Sequence, residues 1–171
     1  RGVNPTAALQ LGEDTVLRLS VEYFDYDRTA DGGIPSLDGR PLPTDPSTFF
    51  GDPRRSPTHA TVNQIAAVID HDFSESVRLR NRTSRADYDK LYQNVFTGAV
   101  DAAAQTVTIP AYNNEQLREN LFNQTDLQFG FDTGAVRHRF LAGAEVGRQV
   151  TDNFRNTGFF DDTAASWQAP L

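Results

Sequence analysis

Apolar and polar residues alternate with period two along three stretches of the chain. From Val16 to Asp27, Leu17, Leu19, Val21 and Tyr23 hold one parity while Arg18, Ser20 and Glu22 hold the other. That is the signature of a strand with two unlike faces. Gly12-Glu13-Asp14-Thr15 just before it reads as a tight turn, with Leu9 and Leu11 leading in, so residues 6–27 are predicted as a hairpin. The pattern recurs over 62–88. There Ile65, Ala67, Ile69 and Phe73 share a register, Ser74-Glu75-Ser76 turns the chain, and Val77 and Leu79 alternate with Arg78, Arg80 and Arg82. A third hairpin is predicted over 119–149. Leu121, Leu127, Phe129 and Phe131 oppose Gln124, Asp126, Gln128 and Asp132, and Thr133-Gly134-Ala135 turns the chain. Val136, His138, Phe140, Ala142, Ala144 and Val146 then alternate with Arg137, Arg139 and Glu145.

The turns centre near Asp14, Glu75 and Gly134, 61 and 59 residues apart. Between them run two long polar connections, 28–60 with six prolines and 89–117. Long loops without structure are uncommon inside compact domains. Here they alternate with short turns. That layout predicts an all-β fold of about six antiparallel up-and-down strands, with short turns at one end and long loops at the other, which is the plan of an outer-membrane β-barrel. The strands are long enough for it, since a tilted membrane strand needs about 9–11 residues. The arginines of the polar register suit a wet lumen and not lipid. The alternative is a soluble β-sandwich that binds carbohydrate or protein. The two readings differ over Leu17, Leu19, Val21, Leu127, Phe129 and Phe140, which a barrel exposes to lipid and a sandwich buries between sheets.

Composition narrows the function. The 171 residues suit one domain or a piece of a larger one. A net charge of −7 and a pI near 4.8 argue against a nucleic-acid partner. No stretch reaches the 18 apolar residues of a membrane helix, and the mean hydropathy is −0.52. A barrel is compatible with both facts, because its strands average apolar with polar positions. There is no cysteine, which removes disulfides, thiolate metal sites and cysteine nucleophiles. There is also no methionine, and the chain starts at Arg1, as an internal fragment or processed product would.

Catalytic and metal motifs are missing. There is no G-x-S-x-G and no glycine-rich phosphate loop, so no catalytic residue and no enzyme activity is predicted. Asp70-His71-Asp72 cannot converge on one ion, since successive strand residues point to opposite faces. His59 and His138 stand isolated, and Asp31, Asp38, Asp45 and Asp52 fit no calcium loop, so no metal site is predicted. The sequons at Asn81 and Asn123 fall inside predicted strands.

Gly32-Gly33-Ile34-Pro35, Gly39-Arg40-Pro41 and Phe49-Phe50-Gly51-Asp52-Pro53 together look like the first long loop of TonB-dependent siderophore receptors of the catecholate type or related. Asn4-Pro5 and Leu17-Arg18-Leu19-Ser20-Val21 resemble the strands leading into it. Leu79-Arg80-Asn81-Arg82-Thr83 with Tyr88-Asp89 is similar to the next hairpin. Asn120-Leu121-Phe122-Asn123-Gln124-Thr125-Asp126-Leu127, His138-Arg139-Phe140-Leu141-Ala142-Gly143-Ala144-Glu145 and Arg155-Asn156-Thr157-Gly158-Phe159-Phe160 resemble the one after that. The motifs arrive in the family's order over nearly the whole chain.

The resemblance implies a barrel of about twenty-two strands around an N-terminal plug. It implies uptake of a ferric siderophore across the outer membrane of a Gram-negative bacterium, driven by TonB, with lipid around the wall. Residues 1–171 would then be a mid-barrel segment, with the plug domain and its TonB contact absent. The ferric siderophore would be a transported ligand and no cofactor would be bound directly. Cut out alone, such a segment is expected to aggregate, rearrange or lean on partner copies, because closure is what removes sheet edges.

A receptor of this kind needs aromatic and cationic groups at its outer mouth, since arginine supplies charge-assisted hydrogen bonds and aromatic faces supply stacking area. The first long loop offers Arg40, Phe49, Phe50, Arg54 and Arg55; the second offers Tyr92, Phe96 and Tyr112. The plainer reading has the phenylalanines packing the loop onto itself and the arginines solvated. Tyr23, Phe24, Tyr26, Tyr88 and Tyr92 cluster towards the loop ends of their strands, where an outer aromatic girdle would lie.

Overall fold

The computed structural model describes residues 1–161 and 164–171. These contain no α-helix. The strands are β1 (Gly2–Val3), β2 (Thr6–Gln10), β3 (Thr15–Thr29), β4 (Ser36–Leu37), β5 (Arg40–Pro41), β6 (Pro57–Ser74), β7 (Val77–Val95), β8 (Val100–Asp101), β9 (Thr106–Thr133), β10 (Val136–Thr157) and β11 (Ser166–Pro170), with a turn of 3-10 helix at Pro53–Arg55. The sheet order is β1-β3-β6-β7-β9-β10, so the long strands are neighbours in chain order. β2 also pairs with β3, β8 and β11 pair with β9, and β4 and β5 form a separate hairpin. The chain divides into two compact units, one of residues 1–24, 61–88 and 118–151, the other of residues 25–60, 89–117 and 152–171.

The first unit holds the short turns. Gly12 and Gly134 take φ of +91° and +62°, which a side chain would strain. The turns are tied to neighbouring hairpins: Asp72 N–H donates to Asp14 O at 2.9 Å, and Gly130 N–H to Ser76 O at 2.8 Å. Among the described residues, the buried side chains here are small or charged: Ala66, Ala86 and Asp70. The apolar register is open. Leu19, Val21, Leu127 and Phe140 are exposed, and Leu17 and Phe129 half-buried. Leu121 and Phe131 are 51% and 49% exposed. Phe131 and Phe140 stack at 5.5 Å, with His138 4.9 Å from Phe131. A sandwich would have sealed this register, so that alternative is set aside.

Two polar pairs interrupt the same register. Asn81 Nδ2 donates to Thr125 Oγ1 at 2.7 Å, and Asn123 Nδ2 to Thr83 Oγ1 at 2.7 Å. The two amides also bond each other at 3.2 Å in both directions. Such reciprocal satisfaction is what a polar group in hydrocarbon requires.

The second unit has a small core of its own. Val95, Val107 and Ile109 are buried, with Phe50, Phe160 and Ala169 packed against them. β11 lies antiparallel to the start of β9, pairing Trp167 with Ile109 and Ala169 with Val107. The proline-rich connection is pinned through Ser56. Its carbonyl accepts from Ala30 N–H at 2.7 Å, and its hydroxyl accepts from Val95 N–H at 3.0 Å while donating to Asp52 O at 2.7 Å. Gly51 passes so close to the Val95 carbonyl, at φ +147°, that a Cβ would collide with it.

The strands run beyond the alternating pattern. β7 continues to Val95 and β9 begins at Thr106, so most of the stretch 89–117, expected as a loop, is strand. Thr106-Val107-Thr108-Ile109 are good strand formers. The polar run Asn113-Asn114-Glu115-Gln116 that follows has no apolar parity to betray its strand.

Candidate functional site

In the first unit the polar register carries paired charges. Asp70 accepts from Arg80 Nε at 2.7 Å and Nη2 at 3.1 Å, and also from Arg18 Nη1. Arg78 grips Asp72 with two bonds, of 2.5 and 2.8 Å. Asp70 is buried, whereas Arg18 and Arg80 remain half-exposed, so the register presents guanidinium groups to solvent. The Asp70-His71-Asp72 run separates as strand geometry requires. His71 takes other partners, bonded to Thr15 Oγ1 at 2.7 Å and edge-on to Phe73.

In the second unit the same even-numbered register of β7 and β9 carries Tyr92 and Tyr112, whose ring centres lie 5.7 Å apart. Phe96 meets Tyr112 edge-on at 5.5 Å. Asn94 Nδ2 donates to the Tyr92 hydroxyl at 3.0 Å. The Arg155 guanidinium carbon lies 4.2 Å over the Tyr112 ring. Register explains the cluster. The β9–β10 pairing brings Gly158 N–H to Ala111 O at 2.8 Å, which sets Arg155 beside Tyr112. Tyr92, expected either at the outer aromatic girdle or as a ligand contact, packs against Tyr112.

A hollow of about 860 Å³ adjoins this cluster, and Tyr112, Phe49, Phe50, Arg55, Gln93 and Trp167 are among the residues lining it. The structure thus divides the expected site residues. Phe49, Phe50, Arg55 and Tyr112 come together at the hollow, and Tyr92 joins Tyr112. Phe50 also packs on the core. Arg55 faces Asp52 at 3.6 Å. Arg54 follows the Asp52 cap of the 3-10 turn, and Arg40 sits in the separate β4–β5 hairpin; neither lines the hollow. Arg155 and Asn94 join the cluster and were not among the residues the sequence suggested. The one signal for Arg155 was its odd parity, shared with Arg137 and Arg139 on β10.

His59 is not isolated. Its Nδ1 lies 2.8 Å from Asp27 Oδ1, and one ligating atom from each of Asp25, Asp27 and His59 falls within 4.8 Å of the others. The hydrogen bond to Asp27 raises the imidazole pKa above its ordinary value of 6.5, helped by the charges of Asp25 and Asp89 and opposed by desolvation.

No family model matches the chain. Individual proteins do. The probable TonB-dependent siderophore receptor PiuA of Acinetobacter baumannii is 28% identical over 94% of this chain and 24% of its own length. The catecholate siderophore receptor Fiu of Escherichia coli K12 is 26% identical over 90% of this chain and 23% of its own. The crystal structure of PiuA superposes with a TM-score of 0.79 at 25% identity, over 94% of this chain and 26% of that one. The closed form of Fiu gives 0.71 at 27% identity, over 90% and 25%. The chain thus spans about a quarter of the relatives it matches, and these are receptors rather than enzymes. Over that quarter, with its long antiparallel strands, the chain is similar in sequence and fold to these TonB-dependent siderophore receptors.

Proposed function

We propose that the chain supplies part of the wall and outer rim of a receptor in the outer membrane of a Gram-negative bacterium, which binds a ferric siderophore and imports it with energy from TonB. The observation that carries this reading is the first unit's open apolar register, set against a salt-bridged arginine register on the same strands. Such a sheet suits lipid on one side and a watery, plugged passage on the other. On this reading the bilayer-crossing stretches belong to the first unit, and the ligand contacts to the second. TonB would be engaged through a plug segment outside residues 1–171.

Of the expected contacts, Tyr92 and Tyr112 serve best, because their rings pack together beside the hollow with the Arg155 guanidinium over one of them. Phe49 and Arg55 would contribute at the adjoining hollow, and Phe50 anchors the loop. Rings of this kind give stacking area to an aryl chelate at little entropic cost. Fiu is named for catecholate siderophores, and catecholates are the ligand class proposed here.

The test is uptake of radioactive iron, presented as a ferric catecholate, by cells that have this receptor as their only route. Accumulation should need both the intact receptor and TonB. Uptake that persists after either is deleted would overturn the proposal.

A further inference from the structure

Five arginines lie in the second unit, and their surroundings differ. Arg55 is turned towards a carboxylate, Asp52, at 3.6 Å. Arg54 shares the 3-10 turn with it, and Arg40 belongs to the small hairpin. Arg28 sits 5.6 Å over Tyr26. Arg155 makes the closer ring contact, 4.2 Å over Tyr112, and is exposed. Among the described residues no carboxylate pairs with it.

The ring beneath Arg155 is held from several directions. Phe96 abuts it edge-on, Tyr92 tilts against it, and Tyr92 is itself fixed by the Asn94 amide. A guanidinium has two faces and five N–H donors, and contact with one ring occupies a single face. The other face and the donor rim stay available, already positioned on an exposed side chain. A platform of this kind suits a flat ring with anionic oxygens at its edge: the ring covers the cation and the oxygens take the N–H bonds. A neutral aliphatic chelate offers neither feature.

We infer that Arg155 is a specificity-determining ligand contact, which selects iron chelates bearing planar anionic aryl groups over neutral aliphatic ones. The inference rests on the transport reading above and adds to it a residue and a basis for selection.

The experiment measures binding to the intact receptor in detergent with two probes, a ferric tris-catecholate trianion and a neutral ferric tris-hydroxamate. Arg155→Ala should weaken the first by roughly 10- to 100-fold and leave the second unchanged, the scale expected for hydrogen bonds to a charged group. Arg155→Lys should restore only part of the loss, because lysine keeps the charge and loses the plane. Wild-type affinity for the trianion in Arg155→Ala would overturn the inference. So would an equal loss for both probes, which would mark a structural role, or full recovery in Arg155→Lys. If the wild-type receptor binds neither probe, the transport reading itself has failed; if it binds the trianion and the variants match it, only the role of Arg155 has.

Discussion

On the odd-numbered register of β9, Leu121 and Phe131 stand half-exposed in the first unit, while Val107 and Ile109 are 0% and 3% exposed in the second. The side chains are alike in kind and the strand is the same. What differs is the cover. Phe50, Phe160 and Ala169 lie against Val107 and Ile109, and the proline-rich loop that carries Phe50 is fastened by Ser56 and by the close pass of Gly51. The first unit has no such cover among the described residues, and its own buried side chains are too small to make a core. An apolar face of that extent calls for an apolar neighbour. On the proposed reading, lipid supplies for one unit what folded loop supplies for the other.

The largest expected effect tests the protein-covered half. Val107→Asp places a carboxylate where the side chain has no solvent access, and no arginine lines that core. The expected loss is about 4 kcal/mol or more. Its measurable sign is protease cleavage within residues 28–60 and 96–105 while the rest of the receptor stays folded. An intact loop cap in this variant would mean that Val107 is not the centre of a packed core.

The half proposed to face lipid should respond to a different change. Leu127→Arg puts a charge on the open register, where a bilayer imposes about 2–4 kcal/mol near its midplane. A register facing water would tolerate the same change within about 0.5 kcal/mol. Reversible unfolding in lipid vesicles distinguishes these outcomes. A shift below about 0.5 kcal/mol for Leu127→Arg would remove lipid from the account of the first unit.

This contrast also explains which parts of the fold were legible in sequence. The hairpins around Ser74–Ser76 and Gly134 were readable because each strand there has one wet and one apolar face, and period two records that directly. The extensions through 113–117 and 150–157 were not, since Asn113-Asn114-Glu115-Gln116 is polar on both parities and Arg148 and Asp152 interrupt the apolar parity of Val146, Val150 and Phe154. Tyr92 and Tyr112 were visible as candidates, but their contact depends on the pairing of β7 with β9 across twenty residues of chain. Arg155 depends on a second pairing, β9 with β10, and so lay one step further from the sequence. Arg40 and Arg54 do not line the hollow, because loop composition does not fix which side chains a loop turns towards it.

The smallest expected effect concerns the clamp between β3 and β6 in the second unit, outside the stretches proposed to cross the bilayer. His59 bonds Asp27 at 2.8 Å, and its pKa is raised in the fold by that bond first and by Asp25 and Asp89 further. A raised folded value means that the bond contributes most below the ordinary pKa of 6.5, where the imidazole is charged in the folded and the unfolded chain alike. The contribution fades as pH rises through the higher folded value. Acidification from neutral pH should therefore tighten this corner, modestly, because the pair is exposed and screened. Following the His59 ring protons by NMR gives the titration midpoint directly. Asp27→Asn should pull that midpoint down towards 6.5. A midpoint that does not move would assign the raised value to the charges of Asp25 and Asp89, and the two strands would then be joined here by backbone pairing without a side-chain clamp.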